Sequence, residues 1–105
     1  DYREFANITL YPDLPAFRQQ HPQSRLLAIT TKGQIGYHQV QYRDDDALLF
    51  GPETRGLPQE ILEEIGPKAC LRIPMMPESR SLNLSNAAAL VAYEGLRQLA
   101  FPDLD

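Results

Sequence analysis

Short apolar runs alternate along this chain with longer periodic segments: Asn7-Ile8-Thr9-Leu10, residues 25–30, Ala47-Leu48-Leu49-Phe50 and residues 70–73. Runs of that length are too short for helices, and their alternation with helical stretches predicts an α/β domain with a largely parallel sheet. Pro12 ends the first run. Asp13 is then placed to cap a short helix reaching about Gln20, its carboxylate accepting amide hydrogens of the first turn. Residues 25–30 read as a buried strand, and residues 32–43, with Gly33 and Gly36, as an irregular loop or edge segment. The third run, Ala47-Leu48-Leu49-Phe50, stops at Gly51-Pro52, which suits a central strand delivering its end to a loop. Pro58 opens a helix through Ile61, Leu62 and Ile65, closed by Gly66-Pro67. The longest helix is predicted from Asn83 to about Phe101. Its residues Leu84, Ala87, Ala88, Leu90, Val91, Leu96 and Leu99 cover more than one face, so burial on several sides is expected.

With 105 residues the chain has room for one domain and one core, and 43% apolar residues suffice to build it. No apolar run approaches the roughly 20 residues that cross a bilayer, and the N-terminus lacks the pattern of a signal or transit peptide. A cytoplasmic address and no membrane partner are the expectation. Cys70 is the single cysteine; a buried hydrophobe beside Leu71 in a strand is the favoured reading over a nucleophile. The formal charge of −4 argues against strong nonspecific attraction to phosphate. It leaves room for local positive charge at Arg55, Arg72 and Arg80. The block Asp44-Asp45-Asp46 reads as a solvated turn before a strand, and no metal site is expected. His21 and His38 fall in no motif and read as surface residues.

Two loops bounded by Gly and Pro follow strands, and in open α/β sheets ligands bind beyond the carboxyl ends of strands. The loops are therefore expected to share one edge. The first, Phe50-Gly51-Pro52-Glu53-Thr54-Arg55-Gly56-Leu57-Pro58, has the glycine spacing of a phosphate-binding loop, but Leu57-Pro58 stands where Lys and Ser or Thr are needed, which excludes a nucleotide triphosphate site of that type. Its glycines permit close approach of a ligand to the main chain. Glu53 and Arg55 could pair with each other, orient a ligand or face solvent, the last being the commonest fate of loop charges. The second loop, residues 72–81, runs into Leu82-Asn83-Leu84-Ser85. Ser81, Asn83 and Ser85 exceed what one helix cap requires, and the excess donors near a helix N-terminus suit a carboxylate or a ribose. Met75 and Met76 read first as packing, though thioethers also suit the wall of an adenine pocket.

Residues 48–58, LLFGPETRGLP, and residues 72–94, RIPMMPESRSLNLSNAAALVAYE, resemble the second and third motifs of the SPOUT superfamily of RNA methyltransferases. More narrowly they are similar to the tRNA (cytidine/uridine) 2′-O-methyltransferases of the wobble position, as are residues 1–7 and 26–33. The resemblance implies an α/β fold with a mostly parallel sheet flanked by helices and a C-terminal trefoil knot, with S-adenosyl-L-methionine bound at the knot. Carried over by position, its cofactor contacts fall on Ile29, Gly51, Ile73 and Ser81, with Thr30, Gly56, Met75 and Leu82 as weaker nominations. Glu53, Arg55, Asn83 and Ser85 would line the catalytic site, with Tyr93 nearby. The substrate implied is tRNA, methylated at a ribose 2′-hydroxyl, and the full-length protein is expected to be a homodimer. Residues 1–105 would form one partial domain, beginning after the family's first strand, helix and strand and so after its catalytic arginine. The alternative is a domain that binds the cofactor, or only folds, without catalysis.

Overall fold

The computed structural model describes residues 7–51, 56–74 and 84–99. Within them the chain forms strands β1 (Asn7–Leu10), β2 (Leu26–Ile29), β3 (Ile35–Gly36), β4 (Ala47–Phe50) and β5 (Cys70–Arg72), and helices α1 (Leu14–Gln20), α2 (Gln59–Ile65) and α3 (Leu84–Gln98). The sheet is parallel throughout, in the order β1-β4-β2-β5-β3, as the alternation of short and long segments predicts.

Because successive strand residues face opposite sides, each apolar run feeds two cores. Leu27, Leu48, Phe50 and Leu71 pack with Tyr42 and with Ala88 and Val91 of α3. Ala28, Leu49 and Cys70 pack on the other face with Leu14 of α1, Leu62 of α2 and Leu57 ahead of α2. Leu27, Leu49, Leu71 and Val91 are fully buried, each contributing about 2 kcal/mol or more by removal of apolar surface from water. Cys70 is among the buried residues, and burial pushes its thiol pKa up.

The passage from β2 to β3 organises the sheet. These strands lie on opposite edges of β5, so the chain crosses β5 in residues 30–34. Thr30 N–H donates to Leu71 O at 2.9 Å on one side, and Tyr37 N–H donates to Arg72 O at 2.9 Å on the other. Gly33 is buried in the crossing, and a Cβ there would stand 2.6 Å from the Leu71 carbonyl carbon. Only a residue without a side chain lets the crossing lie this close to β5.

The structure corrects the sequence in three places. Asp13 sits at the N-cap of α1 without a side-chain cap bond, because a 3-10 turn, Tyr11–Asp13, runs straight into the helix and gives Asp13 near-helical backbone angles. The Asp44-Asp45-Asp46 turn is not wholly solvated: Asp46 is 7% exposed and holds Arg25 in a fork, Nε to Oδ1 at 2.7 Å and Nη2 to Oδ2 at 2.6 Å. Helix α3 buries Ala88, Val91, Ala92 and Leu96 but leaves Leu90 43% and Tyr93 49% exposed, so one face is open in the single chain. Its predicted start, Asn83, lies outside the described residues.

The Asp46 carboxylate also accepts Arg43 N–H at 2.8 Å, and Arg25 reaches Gln41 O at 2.8 Å. This network joins the entrances of β2 and β4. Asp46→Ala strands Arg25 and the Arg43 amide and is expected to cost about 2 kcal/mol, below the full value for a buried pair because Arg25 is partly in water. Urea unfolding measures it, and a double-mutant cycle with Arg25→Met should show coupling.

Gly33→Ala is expected to cost about 1–3 kcal/mol, since the contacting atoms are backbone and cannot rotate away. A thermal melt reads this directly; an unchanged midpoint contradicts the crossing geometry.

On α3, Arg97 and Gln98 hydrogen-bond the Glu94 carboxylate. Arg97 foremost, helped by Gln98, holds the Glu94 pKa at about 2 against an ordinary 4.5. A depressed carboxylate contributes stability that is complete above about pH 4.5 and is lost as pH falls towards 2. Glu94→Gln should therefore lower stability near neutrality and bring it towards the unsubstituted protein in acid, as followed by urea midpoints across that window.

Candidate functional site

Parallel strands place their carboxyl ends on one edge, and here β4, β2 and β5 are consecutive neighbours. Ile29 is in register with Phe50 on one side and with Leu71 on the other. Gly51 and Thr30 therefore emerge level with Arg72 over about 10 Å, the width of two interstrand gaps, with Ile29 one residue before that level and Ile73 one residue beyond it. Ile29, Gly51 and Ile73 are half-buried. Ile29 and Ile73 pack partly on the core cluster of Leu27, Tyr42 and Leu71, so their apolar surface is fixed from beneath and open above.

Gly51 turns the chain away from β4. A side chain there would collide with the backbone of Gly56 and Leu57, so the residues flanking positions 52–55 are in contact. Gly56 has φ +68°, a conformation that L side chains rarely adopt. Buried Leu57 then anchors the return in the second core. Both glycines thus have a backbone reason to be glycine, and the result is a narrow loop base directly over β4.

Thr30 is heavily engaged in the turn. Its N–H is bonded to Leu71 O, its carbonyl accepts Gly33 N–H at 3.2 Å, and its hydroxyl oxygen accepts Lys32 N–H at 3.1 Å. What it retains for a ligand is the hydroxyl proton. Among the residues named from sequence, the described ones at this edge are Ile29, Thr30, Gly51, Gly56 and Ile73. Glu53, Arg55, Met75, Ser81, Leu82 and Asn83 lie outside the described residues, as does the side chain of Ser85. Tyr93 is on the open face of α3, where it lines a hollow with Asn86, Ala89 and Leu90.

Arg72 at the end of β5 and Lys32 on the crossing are exposed at the carboxyl edge together with Asp13 beyond β1, and exposed Arg43, Asp44 and Asp45 precede β4 at the opposite edge. The net charge of −4 is therefore no measure of what a ligand meets at the strand ends. His21 and His38 are both exposed. Among the described residues no group of three or more His, Cys, Asp or Glu could hold a metal, and no helix is long and apolar enough to cross a membrane.

Sequence reasoning passed over Gly33 at this edge and Tyr42 behind it. A glycine shortly after a strand is a usable signal for the first. Nothing local marks the second, whose role comes from contacts with α3.

Comparison with known proteins agrees with this architecture. The chain is 50% identical over 102 residues to the tRNA (cytidine(34)-2′-O)-methyltransferase of Escherichia coli strain K12, an alignment covering 97% of this chain and 65% of that protein. It thus spans just under two thirds of that relative's length. Among solved structures, a putative RNA methyltransferase from Bacillus anthracis superposes with TM-score 0.78 and 38% identity, over 92% of this chain and 62% of the other. An AdoMet-bound rRNA methyltransferase from Sinorhizobium meliloti superposes with TM-score 0.67 and 30% identity, over 85% and 33%. The model of the SpoU rRNA Methylase family matches residues 1–93, and with a parallel sheet whose three central strands end on one shared edge, the chain belongs to that family.

Proposed function

We propose that this chain forms the S-adenosyl-L-methionine-binding part of a tRNA 2′-O-methyltransferase acting on the ribose of the wobble nucleotide. The observation that carries the proposal is the convergence of Gly51, Ile29 and Ile73 on one strand edge. The residues suit the ligand: two half-buried isoleucines supply apolar walls for an adenine, and the glycine-framed loop base lets main-chain groups approach closely. Ile29, Gly51, Ile73 and Ser81 would hold the cofactor, with Thr30, Gly56, Met75 and Leu82 around them.

Bound S-adenosyl-L-methionine supplies a methyl group on a sulfonium, which is already a strong electrophile. The task left to the protein is positioning: an in-line approach of a ribose 2′-hydroxyl to that methyl group, with the hydroxyl proton removed. Glu53, Arg55, Asn83 and Ser85 are nominated to line the reacting face. Arg72 and Lys32, exposed at the same edge, suit contact with tRNA phosphates.

A second copy of the chain is proposed to cover the open face of α3, where Leu90 and Tyr93 expose apolar surface beside Ala89. A tRNA substrate implies a cytoplasmic location. Support for the whole reading comes from the tRNA methyltransferase activity for which the Escherichia coli relative is named and from the AdoMet-bound Sinorhizobium structure.

Calorimetric titration with S-adenosyl-L-methionine, run beside transfer of labelled methyl from it to a tRNA transcript, tests the proposal. Binding is expected, and Ile73→Asp should weaken it at least about tenfold, or 1.4 kcal/mol. Labelled tRNA supports the full reading, binding without transfer favours the non-catalytic cofactor-binding alternative, and absence of binding overturns the cofactor reading and leaves a domain that only folds.

A further inference from the structure

The proposed cofactor edge depends on where β5 ends, yet the strand beyond it, β3, has two residues and lies at the border of the sheet. A strand that short holds little by itself. Its continuation is secured from elsewhere. Tyr37 N–H donates to Arg72 O at 2.9 Å, and Tyr37 O accepts the Tyr42 hydroxyl at 2.6 Å. One residue therefore joins the last paired carbonyl of β5 to the phenol of Tyr42.

Tyr42 is fixed in turn by α3. Its ring is buried, 6% exposed, and lies 3.6 Å from where a Cβ of Gly95 would stand. Its N–H donates to Gln98 Oε1 at 2.9 Å, and Gln98 Nε2 donates to Val40 O at 2.9 Å and Glu94 Oε2 at 2.8 Å. Glu94, braced by Arg97, orients the Gln98 amide. The relay thus runs from α3 through Gln98, Tyr42 and Tyr37 to Arg72, one residue before Ile73. Burial pushes the Tyr42 phenol pKa upward, so the hydroxyl keeps its proton to donate.

We propose that Tyr42 is a positioning residue for the cofactor, its hydroxyl holding Tyr37 so that the end of β5 presents Ile73 at the adenosine-binding edge. The inference rests on the cofactor reading above and adds a residue that lies off the site. Helix α3 thereby sets the strand end through Gln98, which makes cofactor affinity sensitive to a contact that touches no ligand.

Tyr42→Phe keeps the ring on Gly95 and removes only the hydroxyl. S-adenosyl-L-methionine should bind this variant about three- to tenfold more weakly, as expected when the competent arrangement becomes a minor population. The amide proton of Tyr37, bonded to Arg72 O, should exchange faster by NMR. Leu14→Ala, which opens the core on the face of the sheet opposite Tyr42, should retain the original affinity and so separates positioning from general loss of stability. If Tyr42→Phe does not fold, Gln98→Met serves, with the same expected loss of affinity. Unaltered affinity in the folded variant, or equal weakening by Leu14→Ala, overturns the positioning role alone. Failure of the unsubstituted protein to bind overturns it together with the cofactor reading.

Discussion

The structure depends on how β5 is gripped. Its two carbonyls at Leu71 and Arg72 receive amide hydrogens from Thr30 and Tyr37, on opposite edges and from one continuous stretch of chain. That stretch strides over β5 at Gly33, pressed on the backbone of Leu71. Parallel pairing of strands distant in sequence is costly to assemble, because loop entropy is lost before any contact repays it. Here two full layers of side chains repay it, with α3 on one face of the sheet and α1 and α2 on the other.

The two ends of the sheet are used differently. At the amino ends, the Arg25–Asp46 fork ties two strand entrances together with charge and hydrogen bonds. At the carboxyl ends, half-buried isoleucines and glycines leave a surface of apolar walls and main-chain groups, with Arg72 and Lys32 beside it. Charge ties the end where no ligand is expected, and close main-chain packing shapes the end where one is. The division follows the general placement of ligands in open parallel sheets.

Much of this could be read from the residues, and the failures have physical causes. Strands β1 and β4 were legible to the residue because Pro12 and Gly51-Pro52 end them locally. Strand β3 was foreseen only as an irregular or edge segment, since Ile35–Gly36 is a strand solely by virtue of pairing with β5, 36 residues further on for the pair Ile35 and Leu71. Asp46 resembled its exposed neighbours Asp44 and Asp45, and its partner is 21 residues away. Of the candidate site, Gly51, Ile29 and Ile73 came from family resemblance, and the strand order places them together. Gln98 and Tyr42, which hold that edge from behind, carry no local signature because their function is a contact across 56 residues of chain.

A nucleoside cofactor seated on three adjacent strand ends must perturb those ends and little else. The most direct measurement is an NMR titration of the labelled chain with S-adenosyl-L-methionine, following every resolved amide. Shifts concentrated at Ile29, Thr30, Gly51 and Ile73, with those of Arg25 and Asp46 unmoved, are the predicted result. Perturbation at the amino ends of the strands or along the open face of α3, with the carboxyl edge silent, would contradict the account.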